Sequence, residues 1–265
     1  MNAAARTLDS IGRGTVKGLD EIGYSAALFF EAIFWLLYGW RRRQPVRIRA
    51  IFFEMMAIGV LALPIATLLA ATIGLMLAIQ ALYSLGLFGA EAYAYIGIAL
   101  SVVREFSPMI MAILVAGRSG SAIAARLATM TINQEVDALQ VMGINPVRYL
   151  VSPVLVALSI MLPCLAMWAN LVAQFAAGLY VSATLGSSFG AYVNDTLTIL
   201  KAGDIYHGIG KAALFGVIIA MVGVVNGSSV SGGAEGVGRV TTRSVVLSVS
   251  LIVVADMIFA YLTTR

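Results

Sequence analysis

Five apolar runs dominate the chain: Ala50–Gln80, Ala92–Gly117, Tyr149–Val181, His207–Val225 and Ser244–Leu262. At a rise of ~1.5 Å per residue each is long enough to cross a ~30 Å hydrocarbon layer as a helix. Pro64, Pro153 and Pro163 stand inside the first and third runs, where the missing N–H predicts kinks. Between the runs the pattern predicts connectors. Ser84–Glu91 is a short outer turn without Lys or Arg, Ser182–Tyr206 an outer loop with Asp195, Lys201 and Asp204, and Asn226–Arg243 a flexible glycine/serine-rich inner loop.

The first forty residues follow a different pattern. At ~100° per residue Arg6, Arg13, Lys17, Asp20, Tyr24, Glu31 and Tyr38 share a sector of roughly 60°, with Phe29, Phe30, Ile33, Leu36 and Leu37 opposite. This amphipathic stripe favours Ile22–Trp40 lying in the membrane interface over its crossing as a further span, with Trp35, Tyr38 and Trp40 as a belt. Acidic residues at 9, 20 and 21 argue against a cleavable signal. Five arginines in the nine residues Arg41–Arg49 then fix an inside face. With five spans the N-terminus is cytoplasmic and the C-terminus is outside. Arg118, Arg126, Arg148, Arg239 and Arg243 fall inside with that run, while Lys201 and Arg265 fall outside. The chain divides into an interfacial helix and basic linker, 1–49, and a five-span domain, 50–265.

Composition agrees: 60% of the 265 residues are apolar and 11% charged, against about 25% charged in soluble domains. The mean hydropathy is +0.94. An all-α integral membrane protein is the fold class expected. The net charge of +4 does not point to nucleic acid, because the arginines sit beside spans, where they orient the protein and meet anionic lipid. Cys164 stands alone inside an apolar run and reads as a small buried hydrophobe. Gly210-Lys211 is followed by alanine, so no phosphate loop is present, and the glycines from 232 to 238 lack the strand and helix that phosphate binding requires. The one histidine, His207, has neither a metal-site nor a triad context. No cofactor is expected, and if ATP drives this protein a partner binds it.

Two features remain as candidate chemistry. Arg104, Glu105, Lys211 and Asp256 stand inside spans, where each charge costs at least ~2.5–3.5 kcal/mol and therefore marks a partner or a cavity. Lys211 and Asp256 lie roughly 6 and 9 Å in from the outer ends of their spans and can meet across neighbouring helices. Arg104 and Glu105, adjacent in sequence, cannot face one way, so at least one needs a partner elsewhere. The second feature is an amphipathic cytoplasmic helix, Thr131–Met142, with Ile132, Val136 and Leu139 on one side, ended by Gly143 and Pro146. It suits a docking element for a cytoplasmic motor. Gly117, Gly120, Ser121, Ala124 and Ala125 precede it as a ridge of small residues for close helix approach.

The V-V-R-E-F-S-P run, the A-G-R-S-G-S-A stretch and Q-E-V-D-A-L-Q-V-M-G-I-N-P within Leu100–Pro153, with G-V-G-R-V-T-T-R-S-V-V before the last span, resemble the MlaE/YrbE permease subunits of ABC systems that work with MCE (mammalian cell entry) proteins. The resemblance implies a permease homodimer in the bacterial inner membrane, cytoplasmic ABC ATPase subunits, a periplasmic ring of MCE-domain proteins and phospholipid or another hydrophobic lipid as cargo. It implies that Gln134, Glu135, Asp137, Leu139 and Met142 belong to a coupling helix that enters the ATPase, and that Arg104, Glu105, Lys211 and Asp256 surround a central lipid-handling cavity. The competing readings are a proton-coupled secondary transporter with Glu105 and Asp256 as carriers, a structural scaffold and an intramembrane enzyme. The absence of an inverted repeat speaks against the first, and the lack of a nucleophile–base pair against the last.

Overall fold

The computed structural model describes residues 3–42 and 44–263, and the side chains of residue 16, residues 18–42 and residues 44–263. The expectations for Arg6, Arg13, Lys17, Arg43, Thr264 and Arg265 lie outside the described residues or side chains. Among the described residues all regular structure is helical. Helix α1 is Ala3–Tyr38, α2 Ile48–Ile58, α3 Leu63–Gly86, α4 Ala94–Ser101, α5 Ser107–Val115, α6 Ser121–Ile132, α7 Glu135–Val141, α8 Ser152–Leu185, α9 Phe189–Ile199, α10 Ala202–Ser228 and α11 Ala234–Thr263. Short turns join α2 to α3 and α4 through α6, so that six stretches are long and apolar enough to cross a membrane: Gly18–Tyr38, Ile48–Gly86, Glu91–Ile132, Val147–Leu185, Ala202–Ser228 and Ala234–Thr263.

The last five are the expected spans, lengthened. The expected kink at Pro64 is a 3-10 turn, Val60–Ala62, with the proline in the first turn of α3. The second span does not stop at Gly117 but runs to Ile132, and this moves Arg118 from the inner face into the helix. There its guanidinium donates to the carbonyl of Ala57 at the α2 break, 3.2 Å away. The glycine-rich stretch is mostly helix rather than loop, since α11 starts at Ala234 and carries Arg239 and Arg243. Gly236 permits this start, because a side chain there would collide with the carbonyl of Ser231. The outer loop holds α9, whose N-cap Ser188 accepts from Ala191 N–H at 3.1 Å. Tyr192 seats it by donating to Gln174 at 2.9 Å. Burial, partly offset by Thr196, pushes that phenol up to about 12, so it stays a donor. Cys164 is exposed on α8, not buried as expected.

At the centre is α8, packed against α2, α3, α5 and α10 around Leu158, Leu162, Leu165, Phe215 and Ile219. Ala66, Ala70, Gly74 and Ala78 recur every fourth residue on the buried face of α3, and a Cβ on Gly74 would strike the Ala173 carbonyl, so the two backbones touch. Of the predicted small-residue ridge, Gly120 and Ala124 meet Gly223 and Gly227 of α10, while Gly117 has open space beside it.

From Glu21 to Trp35, a length of about 21 Å, α1 touches only the arginine-rich end of the bundle. Glu21 pairs with Arg243 at 2.7 Å, Glu31 accepts from Asn145 at 2.7 Å, the Ala32 carbonyl accepts from Ser152 at 3.5 Å, and Arg148 covers Trp35. These contacts dock α1 on the ends of α8, α10 and α11, and its Gly18–Tyr38 part is also long and apolar enough to cross a membrane. Glu31 is a part-buried polar anchor through Asn145, and its bond from Trp35 at 3.3 Å, within α1, holds the carboxylate in place. Glu31→Ala is expected to weaken this docking by about 1.5–3 kcal/mol, read as faster proteolysis in the linker after Tyr38.

Candidate functional site

The intramembrane charges are positioned by an irregular helix. Pro108 has no N–H for the carbonyl of Arg104, and the preceding residues Val102–Phe106 widen into a π turn in which the Ser107 N–H reaches Val102 O. Ser152-Pro153 repeats the device after Val147–Val151. The first wide turn presents Arg104 and Glu105 toward α10 and in different directions.

Glu105 accepts a short hydrogen bond from the Lys211 ammonium. Asp256 Oδ1 of α11 lies 2.8 Å from the same Nζ, in close ionic contact but without hydrogen-bond geometry. Lys211 is fully buried, so the two carboxylates balance an ammonium that has no water. Arg104 turns the other way, its Nε 3.5 Å from Asp204 Oδ1. Asp204 is itself held in the first turn of α10, where its other oxygen accepts the Lys201 N–H at 3.0 Å. His207 Nε2 stands 4.0 Å from Glu105, and its ring meets Phe259 edge-on at 5.0 Å between centroids.

All four predicted charges therefore gather in one cluster joining three spans, and the expected meeting of Lys211 and Asp256 is present. The expectation that one member of the Arg104–Glu105 pair needs a partner elsewhere holds for both. The sequence does not bring Asp204, His207 and Phe259 into the site; its pattern puts Asp204 in a loop, although an acidic residue three after Lys201 is a helix-start signal. The side chains of Arg104 and Glu105 remain 35% and 39% exposed. A sealed structural ion pair would show neither. Lys211, by contrast, is closed off between two carboxylates, whereas Arg104, paired with Asp204 on one side, keeps an exposed part that can meet an anion.

The expected short helix between the second and third spans is α7, Glu135–Val141, shorter than the expected Thr131–Met142. Ile132 ends α6, and Gln134 adopts a left-handed conformation at φ 59° that breaks the axis. Leu139 is buried and anchors the helix, while Gln134, Glu135, Asp137 and Met142 are exposed, with Val141 at 88% and Met142 at 64%.

A family model described as permease MlaE matches residues 51–262, α2 through α11. The chain belongs to the MlaE permease family. It is 32% identical over 254 residues, 96% of both chains, to a probable ABC transporter permease protein of Rickettsia felis. To a probable ABC transporter permease protein of Synechocystis it is 33% identical over 210 residues, 79% of this chain and 80% of that one. The chloroplastic protein TRIGALACTOSYLDIACYLGLYCEROL 1 of Arabidopsis thaliana is 37% identical over 163 residues, 62% of this chain and 47% of its own. The charge cluster, α7 and the three π turns, Val102–Phe106, Ala116–Gly120 and Val147–Val151, all lie within the part matched to the MlaE family.

Proposed function

We propose that this permease subunit moves a phospholipid or related hydrophobic lipid between the bacterial inner membrane and a periplasmic MCE protein, driven by ATP on a separate cytoplasmic ATPase. The observation that carries the reading is the half-open pair Arg104 and Glu105 beside a closed Lys211. Arg104, turned away from the Lys211 group, offers a guanidinium to a headgroup phosphate as a charge-assisted donor, and the exposed edge of Glu105 offers a carboxylate nearby. Lys211 and Asp256 hold Glu105 in place from behind. The name of the Arabidopsis relative contains a galactolipid, which supports a lipid cargo.

In this reading the chain works as a homodimer with its N-terminus in the cytoplasm and its C-terminus in the periplasm, and α7 enters the ATPase. Exposed apolar side chains mark contact surfaces, and Val141 and Met142 are such side chains at the end of α7, whose first turn carries Glu135 and Asp137. Because neither supports the fold of the single chain, Val141→Asp with Met142→Asp is expected to leave the permease assembled. It should abolish co-purification of the ATPase and lipid-stimulated ATP hydrolysis. Unchanged ATPase binding would remove α7 from the interface.

The reading as a whole is tested by purifying the chain from its native membrane in mild detergent and identifying bound proteins and lipids by mass spectrometry. A stoichiometric ATPase, an MCE-domain protein and retained phospholipid are expected. A chain that emerges alone and transports under a proton gradient without ATP is the secondary transporter instead.

A further inference from the structure

At the arginine-rich end, about 32 Å along the second span from Glu105, the start of α2, the end of α6 and the start of α8 enclose a second cavity of about 330 Å³. Arg47, Arg49 and Arg126 line it together with Glu54, Phe53 and Tyr149. Arg126 is bound to Glu54 at 2.7 Å, and Arg47 lies over the Tyr149 ring at 5.0 Å from its centroid. Arg49 makes no ion pair among the described residues. Three guanidiniums against one carboxylate leave two positive charges. The first turn of α2 adds its dipole, since Arg47 at its N-cap makes no side-chain cap.

From these residues we propose that the cavity is a binding site for the phosphate of an anionic phospholipid in the leaflet at this end, separate from the Arg104–Glu105 site. Arg49 and the stacked Arg47 bind the phosphate, and Arg126 is held in reserve by Glu54. A free phosphate offers the same oxygen chemistry, but the wall argues for lipid. Phe53 is 70% exposed, and Ile48, Phe52 and Met56 on the same helix are exposed beside it. These side chains belong at acyl-chain depth, directly below the arginines. Because the site draws on α2, α6 and α8, an occupied headgroup ties α2 to the two spans that flank α7. The inference does not depend on the transported molecule being a lipid.

The test is native mass spectrometry of the purified assembly titrated with phosphatidylglycerol and with phosphatidylcholine of the same chain length. Each arginine at an anionic lipid surface contributes about fivefold in affinity. The wild type is expected to prefer phosphatidylglycerol, with the preference shrinking as salt rises. Arg47→Gln with Arg49→Gln is expected to lower that affinity about 25-fold. Glu54→Gln, which frees Arg126, is expected to raise it about fivefold, a gain that misfolding cannot imitate. Equal retention of both lipids by the wild type overturns the proposal, as does a preference unmoved by the arginine variant. Displacement by millimolar inorganic phosphate assigns the site to a soluble anion and overturns the lipid. Loss of the ATPase with lipid preference intact makes the patch a protein contact and overturns it as well.

Discussion

Lys211→Met is expected to destabilise the chain by about 3–5 kcal/mol, the cost of removing one partner from a buried ion pair. The ammonium is fully buried and serves two carboxylates, Glu105 and Asp256, on two other spans. Methionine fills a similar volume but leaves two like charges facing each other across the bundle, without the ammonium between them. They must then take up a proton or move apart, and either loosens α5, α10 and α11 together. Thermal unfolding in detergent, followed by the loss of monodisperse protein, measures it. The companion variant separates architecture from function. Lys211→Met with Glu105→Gln and Asp256→Asn removes every buried charge in that group, and such replacements are often neutral in stability. It is expected to recover most of the lost stability and none of the transport. Recovery of transport as well would reduce the cluster to a structural tie. A Lys211→Met protein as stable as wild type would show that water reaches the site.

Much of this cluster was legible in the sequence because depth in a membrane can be counted. Lys211 and Asp256 sit at similar distances from the ends of their spans, and the cost of burying charge makes a meeting at 2.8 Å almost obligatory. Counting failed where apolarity alone sets the boundaries. Asp204 stands just before the apolar run that opens at His207, where polar residues read as loop. The π turns leave the apolar pattern unchanged, and only the repeated Ser-Pro after each of two of them betrays a carbonyl without its usual donor. The start of α11 was hidden by its glycines, which read as flexibility but allow Gly236 to pack on Ser231. Among the described residues the arginine-rich end has its expected contents except Arg118, because hydropathy cannot tell a residue at a helix end from one whose guanidinium caps a broken neighbour.

The second large effect concerns Gly208, one turn before Lys211 on α10. A Cβ at this position would lie 2.5 Å from the carbonyl oxygen of Val103 and 3.6 Å from Pro108. In the π turn the donor that would reach Val103 O belongs to position 108, which is proline, so that carbonyl projects toward α10 and only a glycine leaves room for it. Alanine must push the helices apart by at least 0.5 Å before the contact becomes one that real side chains make. Lys211 and Glu105 lie on those same two elements, so the displacement falls on their hydrogen bond. Gly208→Ala is therefore expected to cost about 1–3 kcal/mol by overpacking. Lipid transfer into acceptor vesicles should fall about tenfold, a loss of ~1.4 kcal/mol in the rate-determining interaction. Gly203→Ala, five residues earlier with open space around it, is the matched control and should change neither. If Gly208→Ala transports like wild type, the register between the wide turn and α10 is not what holds Glu105 in its working position, and the half-open pair loses its proposed support.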